Sequence, residues 1–463
     1  MHLISKVALA TAAVLTMVGG ALATGSQGTG PPGQDLTVVG AERAGNKDGT
    51  IPTWEDKKDE PLPGWSYGKY RGDFWKYKDE RALFSIDASN VDKYADKLSP
   101  GQVQFIKQTK DYRMDIYPTR RNAAYPDWIN ENTKKNAAGA AKLSADLTTL
   151  EDAALPGIPF PNPKNGAEAI WNNLLRYEGI GIEWPRTLTA VSPRSGSSDW
   201  LEPAGPQVCY WPWAKKGTTR PSEVGREYMY LYFSYDTPAA LAGQGVFQIY
   251  PFGKVPETFF YFPGQRRVRR LPTYAYDAPQ IGFENQYPID TVWVIMPPID
   301  RFDWKLLGKK EMYIPYNTFG MYDFNARLHD TLWPKFLNPA VRRYELHRVW
   351  VVEATLKKGM RHTAPRRTFY LDEDTWLALV GEDYDASGAL WKLREGFPIP
   401  VWELEGVMDH KAYVHYDLAN GRYIQDQGTI GTGKDIHWFQ EINDPRFRAD
   451  FYTSENLRAI SER

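Results

Sequence analysis

RTFYLDEDTWLALVGEDYDASGALWKLREGFPIPVWELEGVMDHKAYVHY, residues 367–416, decides the fold. Runs rich in β-branched and aromatic residues (Arg367–Leu371, Trp376–Tyr384, Ala389–Phe397, Val401–Val407, Lys411–Tyr416) alternate with short polar turns at Asp372-Glu373-Asp374, Asp385-Ala386-Ser387-Gly388 and Asp409-His410. Connections this short cannot cross over a sheet, so neighbouring strands pair antiparallel as hairpins. The pattern continues C-terminally through the turn Asn420-Gly421. It extends N-terminally through Tyr344–Leu356, Glu311–Ile314, Thr291–Met296, Phe259–Phe262, Val246–Tyr250 and Tyr228–Phe233. Many consecutive hairpins in one twisted sheet curl, and the expected result is a large curved antiparallel sheet or open β-barrel.

Helices are few, so the expected class is mainly β with some α (α+β). In Gly166–Tyr177 the residues Ile170, Trp171, Leu174 and Leu175 share one helical face, with Asn165 as cap and Gly179 as stop. This one-sided helix is expected to pack on the concave side of the sheet. Residues 37–163 lack the apolar density for a core of their own. They are expected to wrap the body as an arm, with short helices over Val91–Leu98 and from Pro100-Gly101 to Gln108. Near the C-terminus Asp444 and Pro445 have the order of a helix cap and first position. The expected organisation is a signal segment over 1–23, a flexible leader over 24–36, the arm over 37–163, and the helix plus barrel with a C-terminal helix over 164–463.

The first residues address the compartment. Lys6 is followed by the apolar run Val7–Val18 and by Ala21-Leu22-Ala23, the form of a cleaved secretory signal. The run falls short of the roughly 20 residues that span a bilayer. The expectation is a periplasmic protein, cleaved near Ala23. Cys209 is the single cysteine, so no intrachain disulfide forms; beside Val208, Tyr210 and Trp211 it reads as a small buried side chain. With 56 basic and 57 acidic residues the net charge is -1, which argues against a nucleic-acid partner. Aromatic residues make up 14% of the chain, with 17 Trp, 28 Tyr and 20 Phe, and favour sheet surfaces and apolar pockets.

Motifs for chemistry do not assemble. Gly428–Lys434 has phosphate-loop spacing, but Asp435 stands where a Ser or Thr would hold magnesium, so a glycine-rich turn is expected. His410 and His415 fall on opposite faces of a strand, and there is no H-E-x-x-H, C-x-x-C or G-x-S-x-G. Glu403 and Glu405 share a strand face that reads as solvated. Catalytic residues and cofactors are therefore not assigned. Asn46, Asp48 and Glu55 match later positions of a calcium loop, but Ala44 stands at the first and cannot coordinate. Arg266, Arg267, Arg269 and Arg270 follow an aromatic strand. They suit either a charged edge strand or, through Arg267 and Arg269, contact with an anionic head group or a partner.

Several of these stretches together resemble domain-of-unknown-function family 1329. They are Val39–Asn46, Asp48–Pro52, Tyr117–Arg121, Ala124–Pro126, Gly157–Pro161, Glu168–Asn172, Leu306–Tyr316 and Asp385–Gly388. The resemblance spans nearly the whole mature chain. Where the family pattern often has His after Trp171-Asn172, this chain has Asn173, which therefore receives no role. A fold-level resemblance to LolA-type periplasmic lipoprotein carriers rests on a helix followed by hairpins, on Phe260–Pro263 leading into Arg266–Arg270, and on Tyr370-Leu371-Asp372. These resemblances imply an incomplete barrel with a helical lid over an apolar cavity. They also imply an envelope setting beside a resistance-nodulation-division (RND) transporter and an outer-membrane protein.

The function expected is binding or carriage of a lipid or other hydrophobic molecule. A structural adaptor without a ligand, and an envelope hydrolase or sterol-modifying enzyme, are the alternatives. The residues expected to line the cavity are Trp171, Leu175, Tyr230, Tyr232, Phe247, Phe260, Trp293 and Trp350.

Overall fold

A computed structural model describes residues 35–462, so the expected signal segment and nearly all of the leader lie outside the described residues. Most of the strands fall into two meanders. The first comprises β5 (Gly181–Val191), β6 (Ala204–Tyr210), β7 (Glu227–Ser234), β8 (Gly245–Pro251), β9 (Glu257–Phe262) and β10 (Arg267–Arg270). The second comprises β11 (Phe302–Pro315), β12 (Tyr344–Leu356), β13 (Arg366–Asp372), β14 (Ala378–Tyr384), β15 (Leu390–Val401), β16 (Val407–Asp417) and β17 (Arg422–Gly428). They join where β17 lies antiparallel to β5, with Ile424 opposite Val191. A short β18 (His437–Phe439) also pairs with β5.

The result is one large, mainly antiparallel sheet. Among the described residues β10 and β11 do not pair with each other, so the sheet is open rather than a closed barrel. The segment expected to wrap outside enters the sheet instead: β1 (Phe84–Asp87) pairs with β2 (Arg113–Ile116), and Ile116 bridges Tyr344 of β12. Its Ile86, Ile106 and Met114 are buried in the same core as the strands of both meanders. Two further strands, β3 (Lys142–Leu143) and β4 (Leu150–Asp152), form a separate ribbon.

Among the described residues five α-helices accompany the sheet: α1 (Pro100–Gln108), α2 (Asp127–Lys135), α3 (Gly166–Leu174), the single turn α4 (Leu328–Thr331) and α5 (Ser454–Ser461). The Asn165 side chain caps α3 by accepting from Glu168 N–H, as its sequence suggests. The helix packs on β11 and β12. Gly166 permits this approach, because a Cβ there would lie 2.7 Å from the Trp304 carbonyl carbon. Asp444 does accept from Arg446 N–H, but it caps only a 3-10 turn; the terminal helix starts later, capped by Thr453.

Two expected strand assignments are corrected. Val401–Val407 is not a strand, and Asp409-His410 is not a turn. The chain reverses at Trp402–Leu404, with Glu405 and Gly406 at φ of 61° and 87°, which leaves Asp409 and His410 inside β16. Glycine is needed at the reversal, since a Cβ on Gly406 would sit 3.1 Å from the Asp59 carbonyl oxygen. Thr291–Met296 is also not a strand. Pro297 and Pro298 follow it and cannot donate to a ladder, and the segment turns inward at Trp293 and Val294, whose φ values are 48° and 72°.

Candidate functional site

The connection Leu271–Arg301 runs from β10, at one end of the open sheet, to β11, which pairs with β12 toward the other end. It holds turns and one 3-10 turn but no strand. Irregular connections longer than about 15 residues are uncommon in compact domains and are usually either functional or linkers; this one is about twice that length and its apolar residues are buried, which is not the behaviour of a linker. Its apolar residues Ile289, Trp293, Val294, Ile295 and Met296 are buried, which is unusual for a surface loop. They lie against the inner face of the sheet and form a plug.

Four sets of contacts hold the plug. At the rim Glu284 pairs with Arg194 at 2.9 Å and Arg422 at 2.9 Å. Deeper, the Tyr287 hydroxyl reaches Asp426 and Tyr413, and its ring stacks on His415 at 4.5 Å. Asp290 accepts from Arg367 at 2.8 Å and lies 2.9 Å from His362 Nε2. At the tip Trp293 Nε1 donates to Gln427 at 2.7 Å, the His410 Nε2 stands 3.1 Å from the Trp293 carbonyl, and Lys411 Nζ lies 4.0 Å from the indole centroid. Left-handed φ at a tryptophan and a β-branched valine costs about 1–3 kcal/mol each, so these contacts hold the tip against backbone strain.

Between plug and sheet lies a narrow cavity of about 40 Å³. From the plug it is lined by Tyr287, Ile289, Val292, Trp293 and Met296; from the sheet by residues that include Leu231, Phe233 and Tyr250. Strand alternation explains which side chains arrive there: Leu231 and Phe233 on β7, and Gln248 and Tyr250 on β8, share the inner face. Cys209 on β6 is buried, and burial pushes its thiol well above the usual range, as expected of a small core side chain.

The eight residues expected to line one cavity are dispersed. Trp293 lines it, but from the plug rather than from a strand. Phe260 faces inward beside Val246, its register partner. Tyr230, Tyr232 and Phe247 face the other way, into an outer aromatic cluster covered by Phe447, Phe451, Tyr452 and Leu457 of the C-terminal segment. Trp171 and Leu175 are buried in the core around α3. Trp350 on β12 stacks on Trp376, with Lys309 Nζ 4.7 Å from its ring centroid. Sequence reasoning ranked aromatic residues without knowing the parity of each strand. The inner-face signal that it missed is Leu231, Phe233 and Tyr250.

Arg267 and Arg269 are exposed on the edge strand β10, opposite Phe262 and Phe260. Their register places them on the inner-face side, at the sheet's margin. The calcium candidates do not converge: Asn46 Oδ1 accepts from Ile51 N–H, Glu55 pairs with Lys57, and Asp48 is exposed. Glu403 and Glu405, expected on a solvated strand face, lie within the reversal and pair with Arg71 and Lys58 respectively.

A family described as "Protein of unknown function (DUF1329)" matches residues 85–458, in agreement with the resemblance read from the sequence. An uncharacterized protein of Pseudomonas aeruginosa is 36% identical over 401 residues, which is 85% of each chain. Among solved structures, a putative outer membrane lipoprotein-sorting protein domain from Vibrio parahaemolyticus aligns over 63% of this chain and 98% of its own, with 13% identity and a TM-score of 0.42. A DUF1329 family protein from Desulfovibrio piger aligns over 59% and 92%, with 14% identity and a TM-score of 0.38. A LolA superfamily protein from Nitrosomonas europaea aligns over 62% and 100%, with 12% identity and a TM-score of 0.35. These three scores lie below 0.5, so the structural likenesses carry no weight for function.

Proposed function

We propose, from the premise that this chain belongs to the DUF1329 family of proteins of unknown function, that it binds a lipid or other hydrophobic molecule on the inner face of β6–β9, in the place its own plug fills. One observation carries the reading: an apolar, strained and irregular segment of the same chain occupies the inner face. An apolar guest that displaced Ile289, Val292, Trp293 and Met296 would meet Leu231, Phe233, Val246, Tyr250 and Phe260. Burial of apolar area there is worth about 25 cal/mol per Å², which offsets the area that the plug gives up. Arg267 and Arg269 stand at the margin, where a guanidinium can meet an anionic head group. In this reading the chain is exported to the periplasm, and it hands its cargo on within an envelope system of an RND-type transporter and an outer-membrane protein.

The test uses the untagged full chain and cis-parinaric acid, a fluorescent fatty acid. Saturable binding is expected, together with faster amide exchange over residues 271–301 and unchanged exchange over β12–β16. Native mass spectrometry of the chain purified without detergent is expected to show a co-purified lipid. No binding and no co-purified lipid would leave the second reading, an adaptor between transporter and outer-membrane protein without its own ligand. That reading is favoured by the smallness of the cavity between plug and sheet. An open groove of about 890 Å³, lined in part by Phe105, Trp333, Phe336 and Leu418, gives it a surface for a partner.

A further inference from the structure

A second site lies away from the plug, where β12 meets the turn after β13. His347 Nδ1 stands 3.6 Å from Asp372 Oδ1 and 4.0 Å from Asp374 Oδ2. One ligand atom from each of the three residues lies within 4.8 Å of the others, and all three side chains are buried. We propose that His347, Asp372 and Asp374 bind a divalent transition-metal ion of the zinc class.

The spacing is the first argument. Direct N–H···O hydrogen bonds close at about 2.7–3.2 Å and are lost by about 3.6 Å, and both contacts lie at or beyond that limit. A tetrahedral zinc ion with ligand bonds of about 2.0–2.2 Å holds its ligand atoms about 3.4 Å apart. Small movements bring the three atoms to that separation.

The imidazole orientation is the second. Its other nitrogen, Nε2, lies 3.4 Å from Glu345 Oε2. Glu345 is itself fixed by Arg343 at 2.7 Å, Asn317 at 2.9 Å and the Arg120 backbone N–H at 2.6 Å. A carboxylate that accepts a hydrogen bond from Nε2–H leaves the Nδ1 lone pair facing Asp372 and Asp374, the arrangement usual around metal-bound histidine. The Tyr316 ring stacks on the imidazole at 3.9 Å and holds its plane.

The third argument is an acceptor without a donor. Asp372 Oδ2 accepts from Thr375 at 2.7 Å and from Tyr316 at 3.3 Å. Asp372 Oδ1 is buried and accepts no hydrogen bond, and it is the atom that faces His347. The neighbouring cations are engaged elsewhere. Arg121 grips Asp374 in a two-pronged pair at 2.7 and 2.9 Å, while Lys309 and Arg348 pair with Glu373 at 2.9 and 3.1 Å. A buried carboxylate without its own cation is costly, and an ion between Asp372 and His347 would supply the missing charge. Asp374 also lines a surface cavity of about 150 Å³ under the N-terminal segment, beside Arg43, Trp54 and Tyr125.

The experiment uses the untagged full chain, stripped with a chelator, dialysed and titrated with Zn²⁺ alone. One equivalent is expected to bind. Glu345→Gln, which removes the orienting carboxylate, is expected to weaken binding by about 10–100-fold, and His347→Ala to abolish it. A wild-type chain that takes up no Zn²⁺, or a His347→Ala chain that binds it unchanged, overturns the proposal and leaves a protonated imidazole between the carboxylates. Should His347→Ala fail to fold, X-ray absorption of the zinc-loaded wild type decides: one imidazole with oxygen ligands supports the site, and no imidazole or more than one overturns it.

Discussion

The two meanders of this sheet have the same pleat and opposite interiors. Among the described residues, β5–β10 bury no charged side chain; their buried polar groups are uncharged, such as Thr189, Gln207, Gln248 and Thr258. Strands β12–β17 bury many charges, among them Arg367, Asp383, Arg394, Asp409 and Lys411. Asp383 holds Arg394 and also lies 3.1 Å from Arg367. Arg176 pairs with Glu178 at 3.0 Å, and Lys411 pairs with Glu178 as well. A buried ion pair fixes geometry because opening it strands a charge. An apolar face has no such constraint and can exchange one apolar neighbour for another. The charged half therefore serves as the frame, and the apolar half as the half with a replaceable occupant. The plug touches both, with its apolar side chains on one and Tyr287, Asp290 and Trp293 tied to the other.

The contrast breaks most directly at Asp383. Its carboxyl is held well below the usual range against its burial, chiefly by Arg394 and Arg367. Asp383→Ala is expected to cost about 3–5 kcal/mol in urea unfolding. A loss under about 1 kcal/mol would make the frame no more rigid than the other half.

Acid should also act on the charged half. Burial holds His410 neutral, with its pKa pushed down to about 3, and Arg176 adds to the effect; burial and Arg394 lower His415 as well. The unfolded chain protonates both near pH 6.5 while the folded chain does not. Their contribution is thus complete above about pH 6.5 and declines as pH falls toward the folded pKa, by about 1.4 kcal/mol per histidine per pH unit. Between pH 6.5 and 5 a loss of about 2 kcal/mol per histidine is expected. A His415→Phe variant should show a shallower pH slope in chemical unfolding; an unchanged slope would remove His415 from this account.

On the apolar half, Leu231→Ala enlarges the cavity against the plug. Its cost should fall near the lower end of the range for such changes, about 2 kcal/mol, with tighter binding of cis-parinaric acid because the plug loses a contact. Weaker binding would show that Leu231 serves the guest more than the plug. The smallest effect is expected at the rim, where Glu284→Gln removes two partly exposed ion pairs. Stability should change by about 1 kcal/mol or less, while amide exchange near residues 280–290 quickens. Unchanged exchange would place the resistance to opening deeper, at Tyr287 and Asp290.

The sequence by itself determined the antiparallel meander, because alternating aromatic and β-branched runs between short turns allow little else. It determined the helix at Asn165, whose capping group and apolar face are local features, and the family, whose motifs are contiguous words. The tertiary structure decided which face each aromatic joins. Tyr230 and Leu231 are adjacent in the chain, yet one faces the outer cluster and the other the plug, since a one-residue shift on a strand reverses the side. It also decided that Thr291–Met296 is an inward turn, because its apolar residues are satisfied by burial against distant strands. It brought His347, Asp372 and Asp374 together as well, because strand register, rather than sequence spacing, sets the distance between β12 and the end of β13.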